Sequence, residues 1–159
     1  MKYIVKQSAF SLVTKFSILD ENNIEKYYVE KKILSFGMHY NFYDNSQNEL
    51  FEIKQDIGNF FPKFDLIKSG QLAGSIKRKL EFNVNEFEIE PIGWIIKGET
   101  FGLRHNYQVF NGDMPIASIK KVIQFGGDCY EVEVYDEKNI FIVLSSVVVI
   151  DAIMFNGSE

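Results

Sequence analysis

Apolar and polar residues alternate in short runs along most of the chain, as in Phe64-Asp65-Leu66-Ile67 and Phe87-Glu88-Ile89-Glu90. A period of two places apolar side chains on one face of a strand, so these runs predict strands buried on one side. Clusters such as Asp20-Glu21-Asn22-Asn23, Asp44-Asn45-Ser46-Gln47-Asn48, Lys68-Ser69-Gly70, Asn111-Gly112-Asp113 and Gly126-Gly127-Asp128 interrupt them. These residue types adopt positive φ or bond their own backbone, and they predict turns.

The spacing is roughly regular. Phe64-Asp65-Leu66 to Ser75-Ile76-Lys77-Arg78 aligns without gaps on Tyr107-Gln108-Val109 to Ser118-Ile119-Lys120-Lys121. The same apolar-then-Lys signature recurs at Ile53-Lys54 and Ile96-Lys97, with a degenerate copy at Val29-Glu30-Lys31. The unit is a hairpin of roughly 20–24 residues, and about five units fill the chain up to Asp136. A meander of about ten to twelve strands is expected to close on itself, which removes its exposed edges.

The segment from Ile140 to Phe155 breaks the pattern. It is apolar throughout except for Ser145, Ser146 and Asp151. Its β-branched residues favour strand, but its length favours helix, with Asp136 as a cap and Asn156-Gly157 as a stop. A membrane span is the competing reading. At 1.5 Å per residue, however, the run covers about 24 Å of a roughly 30 Å hydrocarbon core, and it contains Asp151. Paired core strands are the third. A helix apolar on every side must be enclosed on every side, and a wide barrel needs filling. The two features together predict one domain: a closed antiparallel β-barrel of about 12 strands over residues 1–136, around a hydrophobic C-terminal α-helix over 137–155.

Composition agrees with this picture. The chain has 159 residues, enough for one core without staples, and 15 Phe and 8 Tyr suit a pleated, half-buried surface. A net charge of -5 argues against a nucleic-acid partner. A single cysteine, Cys129, excludes an intramolecular disulfide. With no apolar run after the basic N-terminus, the expectation is a cytoplasmic protein, with peripheral membrane association as its extension. The sequon Asn156-Gly157-Ser158 is read as chance on the same ground.

Several ordered strings give the chain a resemblance to a known family. They include Val5-Lys6-Gln7, Ile18-Leu19-Asp20-Glu21, Lys32-Ile33-Leu34-Ser35-Phe36-Gly37, Pro62-Lys63-Phe64, Ile76-Lys77-Arg78, Ala117-Ser118-Ile119-Lys120-Lys121 and Val148-Val149-Ile150-Asp151. In order and spacing they resemble the LURP-one-related family, with its tubby C-terminal-like and phospholipid-scramblase-like relatives. The resemblance implies a twelve-stranded barrel around a hydrophobic helix, and a binding or membrane-associated module. The chain departs from the family pattern at Val122–Gly127, where a Ser-Trp type of turn is expected. Nothing in it matches the phosphoinositide-binding residues of tubby relatives position by position, so that function is not carried over.

Catalytic signatures are absent: there is no Gly-x-Ser-x-Gly elbow and no Walker-type loop. Gly70-Gln71-Leu72-Ala73-Gly74-Ser75 lacks the phosphate-loop lysine and reads as a hairpin turn. His39 and His105 have no metal-ligand spacing, and Cys129 has no basic neighbour to stabilise a thiolate. No enzyme activity, metal or cofactor is expected. In a strand with Ile76 facing in, Arg78 also faces in, and Lys121 occupies the matching place after Ile119. An inward cation needs a partner, and the expectation is that Arg78 or Lys121 pairs with Asp151. The outward Lys77, Lys79 and Lys120 form a candidate stripe for anionic lipid, a protein partner being the other possibility. The competing class is a lipocalin-like carrier of a small apolar ligand, although a helix in the lumen and Trp94 in mid-chain argue against it.

Overall fold

The computed structural model describes residues 1–8, 13–33, 35–81, 84–101, 104–124 and 127–155. Its strands are β1 (Lys2–Gln7), β2 (Lys15–Leu19), β3 (Glu25–Lys31), β4 (His39–Asp44), β5 (Glu49–Gln55) and β6 (Lys63–Lys68). They continue with β7 (Gln71–Glu81), β8 (Val84–Glu90), β9 (Trp94–Phe101), β10 (Arg104–Asn111), β11 (Met114–Gln124) and β12 (Gly127–Val134). Each strand pairs antiparallel with the next, and β12 returns to β1 to close the barrel, with Lys2 opposite Glu133 and Val5 opposite Tyr130. A 3-10 turn (Glu137–Asn139) leads into α1 (Ile140–Met154), which runs up the lumen.

The expected repeat falls on the odd-numbered strands. Val29, Ile53, Ile76 and Ile96 are fully buried and Ile119 is nearly so, one each on β3, β5, β7, β9 and β11. Strict pairing between neighbours sends all of these strands in one direction, so the two barrel ends differ. One end carries the tight turns. Asp20 Oδ1 accepts from the Asn22 and Ile24 amides, Asp44 Oδ1 does the same for Ser46 and Asn48, and Gly70 and Gly112 supply positive φ. The opposite end carries the longer connections at 32–38 and 56–62. Gly70 to Ser75 forms the β6–β7 turn and the start of β7. The departure at Val122–Gly127 lies at the β11–β12 hairpin, in part outside the described residues, and the sequon at 156–158 lies wholly outside them.

α1 is buried on all sides: Val143, Leu144, Ser145, Ser146, Val147, Val148, Val149, Ile150 and Asp151 are at 0% exposure. Ser145 and Ser146 do not bring unpaired hydroxyls into the core, because each donates to the carbonyl four residues back, at 2.7 and 2.8 Å. Asp136 accepts from the Lys138 amide and caps the 3-10 turn. At the tight-turn end, Phe141 meets the rings of Tyr27, Phe42 and Phe51 edge-on. Halfway up the wall, a Cβ on Gly98 would lie 2.7 Å from the Tyr107 ring. Only glycine leaves room for that ring at this position of β9.

Candidate functional site: the basic mouth of the barrel

Strand alternation continues past the apolar layers to the loop end, where the inward-facing side chains become polar. Two residues beyond Val29, Ile53, Ile76 and Ile119 come Lys31, Gln55, Arg78 and Lys121, and His105 stands two residues before the buried Tyr107. The last turn of α1 reaches this level with Asp151 and Phe155. The mouth thus sets three cations, Lys31, Arg78 and Lys121, around the C-terminal end of a helix, whose unpaired carbonyls favour positive charge.

The lysine and carboxylate expected to meet are engaged differently. Lys121, 9% exposed, is paired with Asp128 Oδ2 at 2.8 Å on the neighbouring strand, and its Nζ lies 3.0 Å from the Phe155 ring centroid. Strand pairing already provides Lys121 with an inward carboxylate, so Asp128 takes the place assigned to Asp151. Arg78 Nη2 donates to Asn85 Oδ1 at 3.3 Å, and its Nε is buried without a hydrogen-bond partner. Asp151 accepts from the Tyr130 hydroxyl at 2.6 Å. Its charge also acts on two other buried phenols. Burial raises the pKa of Tyr40, and Asp151 raises it further. Tyr107 is pushed up to about 12 by burial, with Arg78 lowering it and Asp151 raising it. Tyr130 is raised most of all, by burial and then by the Asp151 charge. All three phenols remain protonated donors at neutral pH. The helix is therefore tethered through tyrosine, an interaction that strand alternation gave no reason to expect.

The outward lysines do not form one stripe. Lys77 bonds Glu90 and lies 3.8 Å from Glu88, and Lys79 lies 3.9 Å from Glu86, both across the β7–β8 pair. Lys120 lies 4.0 Å from Glu131 and sits on β11, with β8, β9 and β10 between it and β7. Each cation has a carboxylate on the adjacent strand, which leaves little net field.

Sequence reasoning missed the feature that most sets this end apart. Ile33 and Phe36 on the β3–β4 loop are 75% and 84% exposed, and Phe60 on the β5–β6 loop is 94% exposed. Ile57 and Phe61 on the same loop are exposed too. Exposed Lys32 and Lys54 and half-buried Lys31 and Lys63 flank these loops at the ends of β3, β5 and β6, with Lys32 3.1 Å from Glu52 and Lys63 3.9 Å from Glu90, and exposed Lys6 lies at the same end on β1. The other end presents Asp20, Glu21, Asp44, Asp113, Asp136 and Glu137. The only available signal was apolar residues inside turn segments, where turn chemistry calls for polar ones.

His39 lies 3.3 Å from Glu52, which also pairs with Lys32 at 3.1 Å, while His105 packs edge-on against Phe155. Burial lowers the pKa of both histidines; Lys32 lowers His39 further, against the opposing pull of Glu52, and Lys121 lowers His105. A depressed folded-state pKa favours the neutral ring, so this stability is complete above about pH 6.5 and is lost as pH falls toward the folded value. The denaturation midpoint is accordingly expected to fall between about pH 7.5 and pH 5.5, and to fall less in His105→Asn. Equal pH slopes for the two proteins would refute the assignment. Cys129 is buried, and burial raises its thiol pKa, so it has no thiolate character.

Comparison with known proteins places this architecture. The sequence model described as LURP-one-related matches residues 1–151. The uncharacterised protein YxjI of Bacillus subtilis (strain 168) is 24% identical over 159 residues, covering 100% of this chain and 97% of that protein. A protein from Arabidopsis thaliana of known X-ray structure shares the fold with a TM-score of 0.66 at 15% identity, over 96% of this chain and 91% of that one.

Proposed function

The chain belongs to the LURP-one-related family, and we propose that it is a non-enzymatic binding module that docks by the mouth of its barrel on anionic phospholipid surfaces. One observation carries the reading: exposed Ile33, Phe36, Ile57, Phe60 and Phe61 project from the end at which Lys31, Lys32, Lys54 and Lys63 flank the same two loops. Exposed apolar groups among cations suit an interface where acyl chains lie beneath a layer of phosphate. The acidic turns at the far end then face away from the membrane. No described helix is long and apolar enough to cross a membrane, so contact on this reading is peripheral. The lumen that a carrier of an apolar molecule would need is occupied by α1.

Flotation with vesicles of increasing phosphatidylserine content tests the proposal. Binding is expected at low salt and is expected to weaken as salt screens the lysines. Burying one Phe side chain is worth about 1.5–3 kcal/mol, so Phe36→Asp and Phe60→Asp should each reduce binding about tenfold or more. Absence of binding to any composition at low salt would remove the membrane reading.

A further inference from the structure

Among the inward cations of the mouth, Lys31 differs from Lys121 and Arg78. Pleat alternation after Tyr27 and Val29 points it into the barrel, opposite the buried Tyr40. Lys121 has Asp128 and Arg78 has Asn85. Among the described residues, no carboxylate lies within 4 Å of the Lys31 amine. A half-buried lysine that faces inward without a counter-ion is costly unless an anion or water supplies the partner.

Beside it is a cavity of about 480 Å³, between the β3–β4 and β5–β6 loops and the end of α1. Its volume lies in the range of small-molecule sites. Lys31, Lys32 and Gln55 line it, Lys32 being 3.1 Å from Glu52, and among the described residues no Asp or Glu does. Gln55 Oε1 accepts from the Met38 amide at 3.0 Å, which orients the side chain and leaves its NH2 group to donate. Gly37 holds the loop against this glutamine. Its φ is +78°, and a Cβ there would fall 2.9 Å from Ile57 and 3.3 Å from Gln55 Oε1. Phe64, Ala152 and Ile153 supply an apolar wall. The wall thus combines charged and amide donors with apolar surface.

We infer that this cavity binds one phosphomonoester head group, with Lys31 as its counter-ion and the Gln55 amide as a second donor. Lys32, shared with Glu52 at 3.1 Å, adds positive charge beside Lys31. The inference deepens the membrane reading and rests on it for the source of the ligand. Docking concerns a surface covered with anions, whereas this is a saturable site for one.

Water-soluble probes separate the two. The full chain is titrated, with amide chemical shifts as readout, against dihexanoyl phosphatidic acid below its micelle threshold, dihexanoyl phosphatidylcholine and inorganic phosphate. Saturable shifts around Lys31, Gly37 and Gln55 are expected with phosphatidic acid and not with the zwitterionic lipid. Lys31→Met should weaken them at least about tenfold, the loss expected for one charge-assisted bond. Lys31→Gln serves as a second variant should Met perturb the fold, and Phe60→Asp should leave this binding intact while weakening flotation. Equal saturation by inorganic phosphate would support the anion site and assign it to free phosphate esters; a clear preference for phosphatidic acid would assign it to lipid. Vesicle flotation without any saturable shift would overturn the cavity and leave docking standing. Unchanged binding in both Lys31 variants would overturn it as well.

Discussion

A chain ended at Asn139 is expected to form no closed barrel. α1 contributes Val143, Leu144, Val147, Val148, Val149 and Ile150 to the core at 0% exposure. They pack against inward side chains that include Phe16, Ile18, Phe42, Ile76, Phe87 and Ile96, all likewise at 0%. Each such aliphatic chain is worth about 1.5–3 kcal/mol when buried. Together they match or exceed the whole stability of a typical domain, about 5–15 kcal/mol. The wall cannot collapse to fill the space, because its circumference is set by its strand number. The truncated protein should lose near-UV circular dichroism and amide shift dispersion and should bind a hydrophobic dye. A milder form of the experiment is Leu144→Ala in the full chain, expected to cost about 2–5 kcal/mol. A well-dispersed spectrum from the truncated chain would show that the wall is self-sufficient.

Tyr130→Phe should give the largest effect of any single hydrogen bond removed. The bond from its hydroxyl to Asp151 is 2.6 Å long, and both residues are fully buried. Bonds to charged groups contribute about 1.5–3 kcal/mol, and losing a donor leaves the carboxylate less well solvated inside the protein. For a domain of this size the melting temperature should fall by about 2–4 °C per kcal/mol. In an Asp151→Asn background the same change should cost less, because a neutral acceptor loses less with its donor. If the two costs are equal, the hydroxyl and the carboxylate are not coupled.

The barrel, its strand count and the helix inside it were legible because they follow from two periodicities that tertiary contacts had no need to override. Val29, Ile53, Ile76, Ile96 and Ile119 mark the inner face in the sequence, and they line it in the fold. The inward direction of Arg78 and Lys121 was legible for the same reason. Their partners were not, since Asp128 and Asn85 become neighbours only through strand register, which one side's pattern does not fix. The outward lysines failed as a group because position along a strand says nothing about distance around a barrel. Lys77 and Lys120 look equivalent in the repeat, yet three strands separate them. Ile33, Phe36 and Phe60 were overlooked because a loop has no period against which an apolar residue stands out.

Closure through the first and last strands has a consequence for how the molecule is made. The amino group of Met1 donates to the Val134 carbonyl at 2.8 Å, a contact between positions 133 apart. During synthesis the pairs from β1–β2 to β10–β11 can assemble in turn, but β1 must wait for β12, and the lumen must wait for α1, which follows every strand. Until then the growing sheet has two open edges and an uncovered apolar face, the surfaces most prone to pair with another chain. Folding should therefore be slow for the chain's length, on the order of milliseconds to seconds, with closure and helix capture as one late event. A nascent chain arrested before Ile140 should accordingly be held by chaperones, whereas one arrested far enough beyond Phe155 to free the helix should be released.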